Sequence, residues 1–419
     1  AMVIVDGSGR LVELATVPPQ VEDDDPSGPP PEPDWGILFE EAGLDIATFT
    51  PVPSRWTPPS YADTRTAWTG VYPERPDQEV RVEAAAYAGR PIYFQLFGEW
   101  SRAWRMTPYE LTTGQAVANA IGATILFVGL LVSAYLARRN WRLGRGDRRG
   151  AVRLAVFALT ASLISWALGA DHVLGRAELG LFVQAVGLSM YLAAALWLLY
   201  MAIEPYVRKL WPHRLISWTR VLAGSWRDPL VGRDVLIGSC MGAAMACCVA
   251  LFVWLPTLLG VPSLGPQASN LDTLLGSALT LSAILDDAVE SVVVSMGFLL
   301  LVLLLRLLLR RESLAALLLI FILGLQQALW SPLSLWVTLP FGLLIWTIPI
   351  LVLLRFGLLS MIVGMFVVSL VANLPITSRL GHWTGTTTLW VMAVVAVVSI
   401  WGFWTSLGGR SLLGDAMDS

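Results

Sequence analysis

Asp286, Asp287 and Glu290 place three carboxylates within five residues, at the head of an apolar run over 288–309. Carboxylates in or near a membrane are costly and often serve as ion or substrate ligands. Acidic residues at a helix start are also favoured by the helix dipole and by water at the membrane edge. The spacing reads first as such a helix start, with an ion or substrate role as its rival. Asp171-His172 is a carboxylate–imidazole pair, chemistry that binds metals or moves protons. Neighbours in a short loop rarely face each other, and no third ligand is near, so no role is assigned. Cys240, Cys247 and Cys248 lie in GSCMGAAMACC, with Cys240 and Cys247 on one helix face. A CxxC is missing, and Gly238 and Gly242 at small-xxx-small spacing read as close helix packing.

Other motifs are absent. The chain has no GxxxxGK[ST], no GxGxxG after a strand and no HExxH. It has no HRD, DFG or APE and no GxSxG. The glutamate-rich and histidine motifs of prenyl-protease-like membrane enzymes are missing too, and only three His occur. No catalytic, cofactor-binding or metal-binding residue is assigned, and no catalytic motif makes these residues an enzyme.

The surrounding elements are mostly apolar. Of 419 residues, 55% are hydrophobic and 14% charged, with mean hydropathy +0.64. Soluble domains carry about 25% charge, so most of the chain reads as embedded in a bilayer. Charge is unevenly divided: residues 1–112 hold 18 acids against 8 Arg, and the remainder 13 acids against 20 Lys and Arg. Two domains in two environments follow. No cysteine lies in 1–112, which excludes a disulfide framework there.

Residues 1–112 read as a small α+β domain. Runs at Met2–Val5 and Leu11–Val17 flank Asp6-Gly7-Ser8-Gly9, and runs at Arg81–Tyr87 and Ile92–Phe97 flank Ala88-Gly89-Arg90-Pro91; each pair predicts a hairpin. Between them, 18–33 is a Pro-rich acidic loop. DWGILFEEAGLD predicts a short helix, with Asp34 capping, Trp35, Leu38, Phe39 and Ala42 at helical spacing, and Gly43 as the stop. The strands look short and the core thin.

A bilayer span needs about 20 mostly apolar residues. Spans are predicted at 113–137, 151–170, 179–203, 235–256, 288–309, 313–330, 334–355, 358–374 and 388–407, followed by a tail at 408–419. The fold class is therefore an α-helical polytopic membrane protein of about nine transmembrane helices, bracketed by eight and ten, with a small N-terminal α+β domain. RRNWRLGRGDRRG at 138–150 has six Arg and one acid, the 204–234 loop has six Lys and Arg, and 257–287 has neither. By the positive-inside rule the basic loops are cytoplasmic, which puts 1–112 outside and the C-terminus inside. Trp104, Trp254, Trp330, Trp336 and Trp390 sit near span ends, as an aromatic belt does. With no export signal of its own, 1–112 is expected to follow an upstream helix or a removed signal peptide.

Residues 204–226 read as an amphipathic helix on the inner leaflet, divided at Pro212. Trp211, Leu215, Trp218 and Leu222 take one side, and Arg208, Lys209, Arg214 and Arg220 fall elsewhere. Asp228-Pro229 fits an N-cap and first turn, and Arg306 is expected to snorkel to the inner interface with no pore role.

Taken in order, AMVIVDGSGRLVELATVPPQ, DWGILFEEAGLD, ADTRTAWTG, RVEAAAYAGRPIYFQLFGEW and EPYVRKLWPHRLISWTRVLAGSWRDPLVGRDVLIG resemble the C-terminal half of large bacterial membrane-bound serine/threonine protein kinases, of the kind found in acidobacterial genomes. The resemblance covers residues 1 to about 240 best. It implies a cytoplasmic kinase domain and a membrane helix upstream, with ATP and Mg bound there and no cofactor in this chain. It also implies that the present chain, catalytically silent by itself, is the membrane-anchoring and sensory region of a receptor-type kinase. The implied partners are the lipid bilayer, a ligand or protein at the outer domain and the kinase domain, with no nucleic acid. The rival reading is a transporter or channel-like protein with an accessory outer domain. A membrane-embedded enzyme is a third.

Overall fold

In the computed structural model, the described residues are 1–21, 31–103, 105–106, 111–173, 175–258, 270–331 and 333–409. Most of the Pro-rich loop, Trp104 and nearly all of the 408–419 tail lie outside them. The chain divides into two compact units, Ala1–Glu110 and Leu111–Ser419.

The first unit is a six-stranded antiparallel sheet in the order β1-β2-β6-β5-β4-β3, with one short helix. Its strands are β1 (Met2–Val5), β2 (Leu11–Ala15), β3 (Thr50–Val52), β4 (Thr64–Tyr72), β5 (Arg75–Tyr87) and β6 (Arg90–Phe97). Both predicted hairpins form. Asp6 Oδ1 accepts from the amides of Ser8 and Arg10 and closes the first turn. Ala88 and Gly89 turn the second at φ +49° and +76°. Helix α1 (Gly36–Glu41) has Trp35 and not Asp34 at its N-cap; Asp34 Oδ1 accepts from Gly36 N one residue earlier, in a turn that leads into the helix, and the chain leaves the helix at Gly43, φ +68°. Two expectations are corrected. Strands β3 and β4 escape the sequence reading, and β5, at 13 residues, is long. The core is compact: Phe39 meets Phe49, Trp68 and Phe94 edge to face, on a floor of Val80, Val82 and Ala84. The alternation of β4 is masked by its threonines and glycine, which is why hydropathy misses it.

The second unit is helical. Its helices are α2 (Thr113–Arg142), α3 (Arg148–Gly169), α4 (Arg176–Leu210), α5 (Ile216–Ala223), α6 (Pro229–Leu258), α7 (Ser277–Leu309), α8 (Glu312–Trp330), α9 (Leu335–Arg355), α10 (Leu358–Asn373) and α11 (Gly385–Ser406). Among the described residues, eight are long and apolar enough to cross a membrane. Each of the nine predicted spans falls on one helix. Helix α10, with 16 residues, is the short one; at 1.5 Å per residue it covers about 24 Å. It packs against α5, α6, α7 and α9 and is buried along most of its length.

Local chemistry sets the helix ends. Thr112 and Gln115 form a reciprocal capping box on α2. Asp228 Oδ1 accepts from Leu230 N, and Pro229 opens α6, as the sequence predicts. Pro205 lies inside α4 and has no N–H for the carbonyl four residues back, that of Met201. The Asn140 amide, buried at the end of α2, donates to the carbonyls of Met201 and Ala202 at 2.9 and 3.2 Å and takes the missing place.

Glycines set the closest helix approaches. Gly238 and Gly242 of α6 lie on Ser360–Val367 of α10, Gly232 of α6 on Gly402–Ser406 of α11, and Gly324 of α8 on Gly342 of α9. The cysteines behave as packing residues beside this seam: Cys248 joins Met241 and Met245, while Cys240 and Cys247 are exposed on α6.

Candidate functional site

Interhelix contacts gather alternate helix ends at two poles. Asn140, Arg153, Arg214, Gly232, Glu312 and Leu354 meet their partners at the pole of the arginine-rich connections. Ser165 with Ser282, and Thr280 with Thr387, do so at the other.

The three carboxylates are not at a helix start. Helix α7 begins at Ser277, so Asp286 and Asp287 lie nine and ten residues farther along, about 14–15 Å up the axis. The sequence reading places the span too late because the carboxylates read as its edge; 277–285, before them, is apolar apart from a few hydroxyls. Those hydroxyls are satisfied by other helices and turns. Ser282 Oγ donates to Ser165 O at 2.9 Å, and Thr280 Oγ1 and Thr387 Oγ1 each donate to Thr273 O at 3.0 Å.

Asp286 lines a cavity of about 340 Å³ between α3, α4, α7 and the turn at Leu271–Leu275. Ser165, Ser189 and Ser282 line it with Asp286, and Asp272 stands beside them. Asp287 points elsewhere. Its Oδ1 accepts from Ser369 of α10 at 2.6 Å, and Ser369 in turn accepts from Asn373 at 3.0 Å. Asp287 is 8% exposed, and its Oδ2 has no partner. Glu290, one turn beyond Asp286, is exposed. Among the described residues, no basic side chain forms an ion pair with any of the three. Nor does any group of three His, Cys, Asp or Glu side chains converge as a metal centre.

At the basic pole, the expected interfacial helix is corrected. Residues up to Leu210 continue α4, Pro212–Arg214 form a 3-10 turn, and α5 ends at Gly224, φ +90°. Trp211, Leu215 and Trp218 pack into the bundle core. Arg214 is buried with them and not on a polar outer side. Its guanidinium pairs with Glu312, donates to Leu354 O at 3.0 Å and lies over the Trp211 ring. Trp211 Nε1 also donates to Glu312, at 2.6 Å. Burial pulls the Arg214 pKa below its usual value, against the opposing pull of Glu312. Arg306 lies over the same Trp211 ring at 4.6 Å, at this pole. Beside this knot an apolar cavity of about 500 Å³ opens between α3, α5, α7 and α10, with Arg153 at its rim donating to Leu222 O.

His172 finds a carboxylate, but it is Glu178 and not Asp171. Nδ1 lies 2.6 Å from Glu178 Oε1 and Nε2 3.0 Å from Ala167 O, with the ring edge-on to Trp166. Both partners are acceptors, an arrangement that favours the form with a proton on each ring nitrogen, the imidazolium. The hydrogen bond that His172 donates to Glu178 is the main cause that raises its pKa, followed by the one it donates to Ala167 O. A histidine and a glutamate six residues apart, across a helix start, carry no simple spacing signal.

In the sheet unit a smaller cleft of about 260 Å³ is lined by Asp6, Arg10, Tyr72, Glu74, Gln78 and Trp100. Arg10 pairs there with Asp6 at 2.8 Å and Glu74 at 3.0 Å. Of the belt tryptophans, Trp254, Trp330 and Trp336 are exposed, and Trp390 packs inward. Compared with protein-family models, curated proteins and solved structures, the chain matches none.

Proposed function

We propose that this chain is the membrane-anchoring and sensory region of a receptor-type serine/threonine protein kinase, without catalysis of its own. It sits in a bacterial cell membrane with nine spans, α10 being the ninth. Residues 1–112 face outward and the arginine-rich pole and C-terminus face the cytoplasm, as the positive-inside rule requires. A ligand or protein partner binds at the 260 Å³ cleft of the sheet unit. Its differential affinity for two conformations shifts the bundle, which is the only way binding drives such a change.

One observation carries this reading. Helix α2 follows the sheet unit in the chain, is little buried along its length, and ends with Asn140 donating to the Met201 carbonyl that Pro205 frees in α4 and to that of Ala202. On this reading a displacement of α2 is passed to the last turns of α4, at the pole that faces the kinase. Autophosphorylation of the gene product expressed with its upstream region, assayed with and without residues 1–112, tests it. Unchanged activity removes the sensory role.

A second reading, a transporter or channel-like protein with an accessory outer domain, is favoured by the depth of Asp286 and Asp287 in α7. Transporters bind substrates and coupling ions near the bilayer midplane. Replacing Asp286, Asp287 and Glu290 with Ala abolishes transport on this reading.

A further inference from the structure

The apolar cavity beside the Arg214 knot joins a hydrocarbon-like interior to a cationic mouth. Its walls carry Phe157 of α3, Trp218 of α5, Ala288 and Val292 of α7, and Val363 and Phe366 of α10. Its volume, about 500 Å³, falls in the range of about 300–1,000 Å³ that ligand pockets take. Ser291 brings a hydroxyl to the wall, and that hydroxyl already donates to Ala288 O at 2.9 Å. Water needs about two to four polar partners to stay in a cavity, and apolar cavities take apolar molecules instead. Phe157 is 41% exposed on the outside of the bundle, so the cavity reaches the surface that acyl chains cover in a bilayer.

The cavity runs along the helix axes. Its α10 wall, Ile362 to Phe366, lies four to eight residues from Leu358 at the arginine-rich pole, about 6–12 Å inward. Its α7 wall, Ala288 to Val292, lies within five residues of the middle of that helix. The mouth is at the basic pole. Arg153, five residues into α3, stands at the rim and is fixed there by its bond to Leu222 O. A guanidinium carries several N–H donors, so others are left for a ligand. A second recess of about 480 Å³ adjoins the mouth; it shares Gly224 and Trp226 with the cavity and adds Ser225, Arg227 and Asp228. Asp228 is paired with Arg220 at 2.5 Å. Among the described residues, neither Arg153 nor Arg227 has an ion-pair partner. Two uncompensated cations therefore stand at the end of an apolar groove, and beside them Trp226, 57% exposed, is a residue of the kind that sits at headgroup level.

We propose that this cavity is a binding site for an acyl chain of an anionic phospholipid, whose phosphate is held at the mouth by Arg153 and Arg227. The chain lies along Phe157, Ala288, Val292 and Phe366, and its burial against them supplies affinity. The arginines supply the preference for negative charge, as basic residues at a membrane surface do, and their planar forks suit a phosphate. An extended peptide in the same groove would leave its backbone polar groups without partners, since the wall has few to give. A free phosphate makes no use of the apolar walls. The site rests on the bundle spanning a bilayer and on neither reading of what the whole chain does.

The full chain is reconstituted into phosphatidylcholine nanodiscs that carry a trace of phosphatidylglycerol with a photoreactive group halfway along one acyl chain, and the labelled residues are mapped by peptide mass spectrometry. Labelling is expected to favour Phe157, Ala288, Val292 and Phe366 over the exposed Leu126, Phe127 and Leu131 of α2, by about fivefold or more. Unlabelled phosphatidylglycerol competes it away, and phosphatidylcholine with the same chains does not. Ala288→Phe fills the groove and removes the labelling at Phe157 and Phe366. Arg153→Gln and Arg227→Gln each lower the preference for phosphatidylglycerol by about fivefold. Gly187→Ala in α4, where an added methyl meets open space, changes neither the labelling nor the preference. If Ala288→Phe fails to fold, the arginine variants decide the matter. Labelling spread evenly over the lipid-facing residues, or equal competition by the two lipids, overturns the proposal. A chain that does not enter the nanodisc overturns the membrane-spanning reading and the site together, so the two failures are told apart.

Discussion

The α6–α10 seam makes a sharp prediction, because its geometry leaves no room for one methyl group. A Cβ built on Gly238 comes within 2.6 Å of Ser360 O, 2.7 Å of Val363 Cβ and 3.1 Å of Gly364 N. Two of those atoms are backbone and do not swing aside. Restoring ordinary contact requires α10 to move away by about 0.6 Å or more, and overpacking of this kind costs about 1–3 kcal/mol. Replacing Gly by Ala inside a helix returns up to about 1 kcal/mol through backbone propensity. With the full offset the net loss for Gly238→Ala is about 0–2 kcal/mol, and about 1–3 kcal/mol relative to a helical Gly→Ala change that meets open space. Gly242→Ala meets Val367 Cβ at 2.5 Å and Gly364 O at 2.9 Å, so the pair of substitutions widens one seam and their costs combine. The assay is thermal unfolding in nanodiscs, followed by tryptophan fluorescence. Gly180→Ala and Gly187→Ala in α4 serve as controls, since a methyl at either meets nothing within 4 Å. If Gly238→Ala unfolds at the same temperature as the controls, close approach of these two helices is not what the small residues secure.

Other perturbations test the remaining elements. Glu83 is 1% exposed and accepts from Ser54 Oγ, Arg55 N and Arg81 Nε at 2.7, 3.0 and 2.7 Å; Glu83→Gln should destabilise the sheet unit by about 2–3 kcal/mol, read as faster hydrogen exchange in β5. Glu312→Ala leaves Arg214 buried without its carboxylate. Breaking a buried pair costs about 3–5 kcal/mol; Glu312 is 34% exposed on its side chain, so about 2–3 kcal/mol is expected after solvent screening, measured by thermal unfolding. The raised His172 pKa fixes the sign of a pH effect. Its stabilising contact with Glu178 is fully present below the ordinary value of 6.5 and is lost as pH rises through the higher folded value. Exchange at Val173 N, which donates to Glu178 at 3.2 Å, should accelerate across that window beyond its intrinsic pH dependence, and His172→Gln should flatten the extra response. Asn140→Ala strips the carbonyls of Met201 and Ala202 of their donor, at a cost of about 1–3 kcal/mol, visible as earlier melting of the bundle.

By itself the sequence determined where the nine apolar helical segments fall, both β-hairpins, the cap at Asp228, and the small-residue seam at Gly238 and Gly242. Each of these rests on local properties: side-chain hydropathy summed over a window, or the backbone preferences of Gly, Pro and Asp. Tertiary structure alone decided what the polar residues inside those segments do. Asp286 and Asp287 read as a helix edge until Ser165, 117 residues from Ser282 in the chain, shelters the hydroxyls that precede them. Arg214 reads as a surface charge until Glu312, 98 residues away, takes it inward. His172 reads as a loop residue without a role until the start of α4 brings Glu178 to its ring. Burial of a polar group is decided by whether a partner arrives to satisfy it, and that partner comes from a distant part of the chain, where no window of local hydropathy reaches.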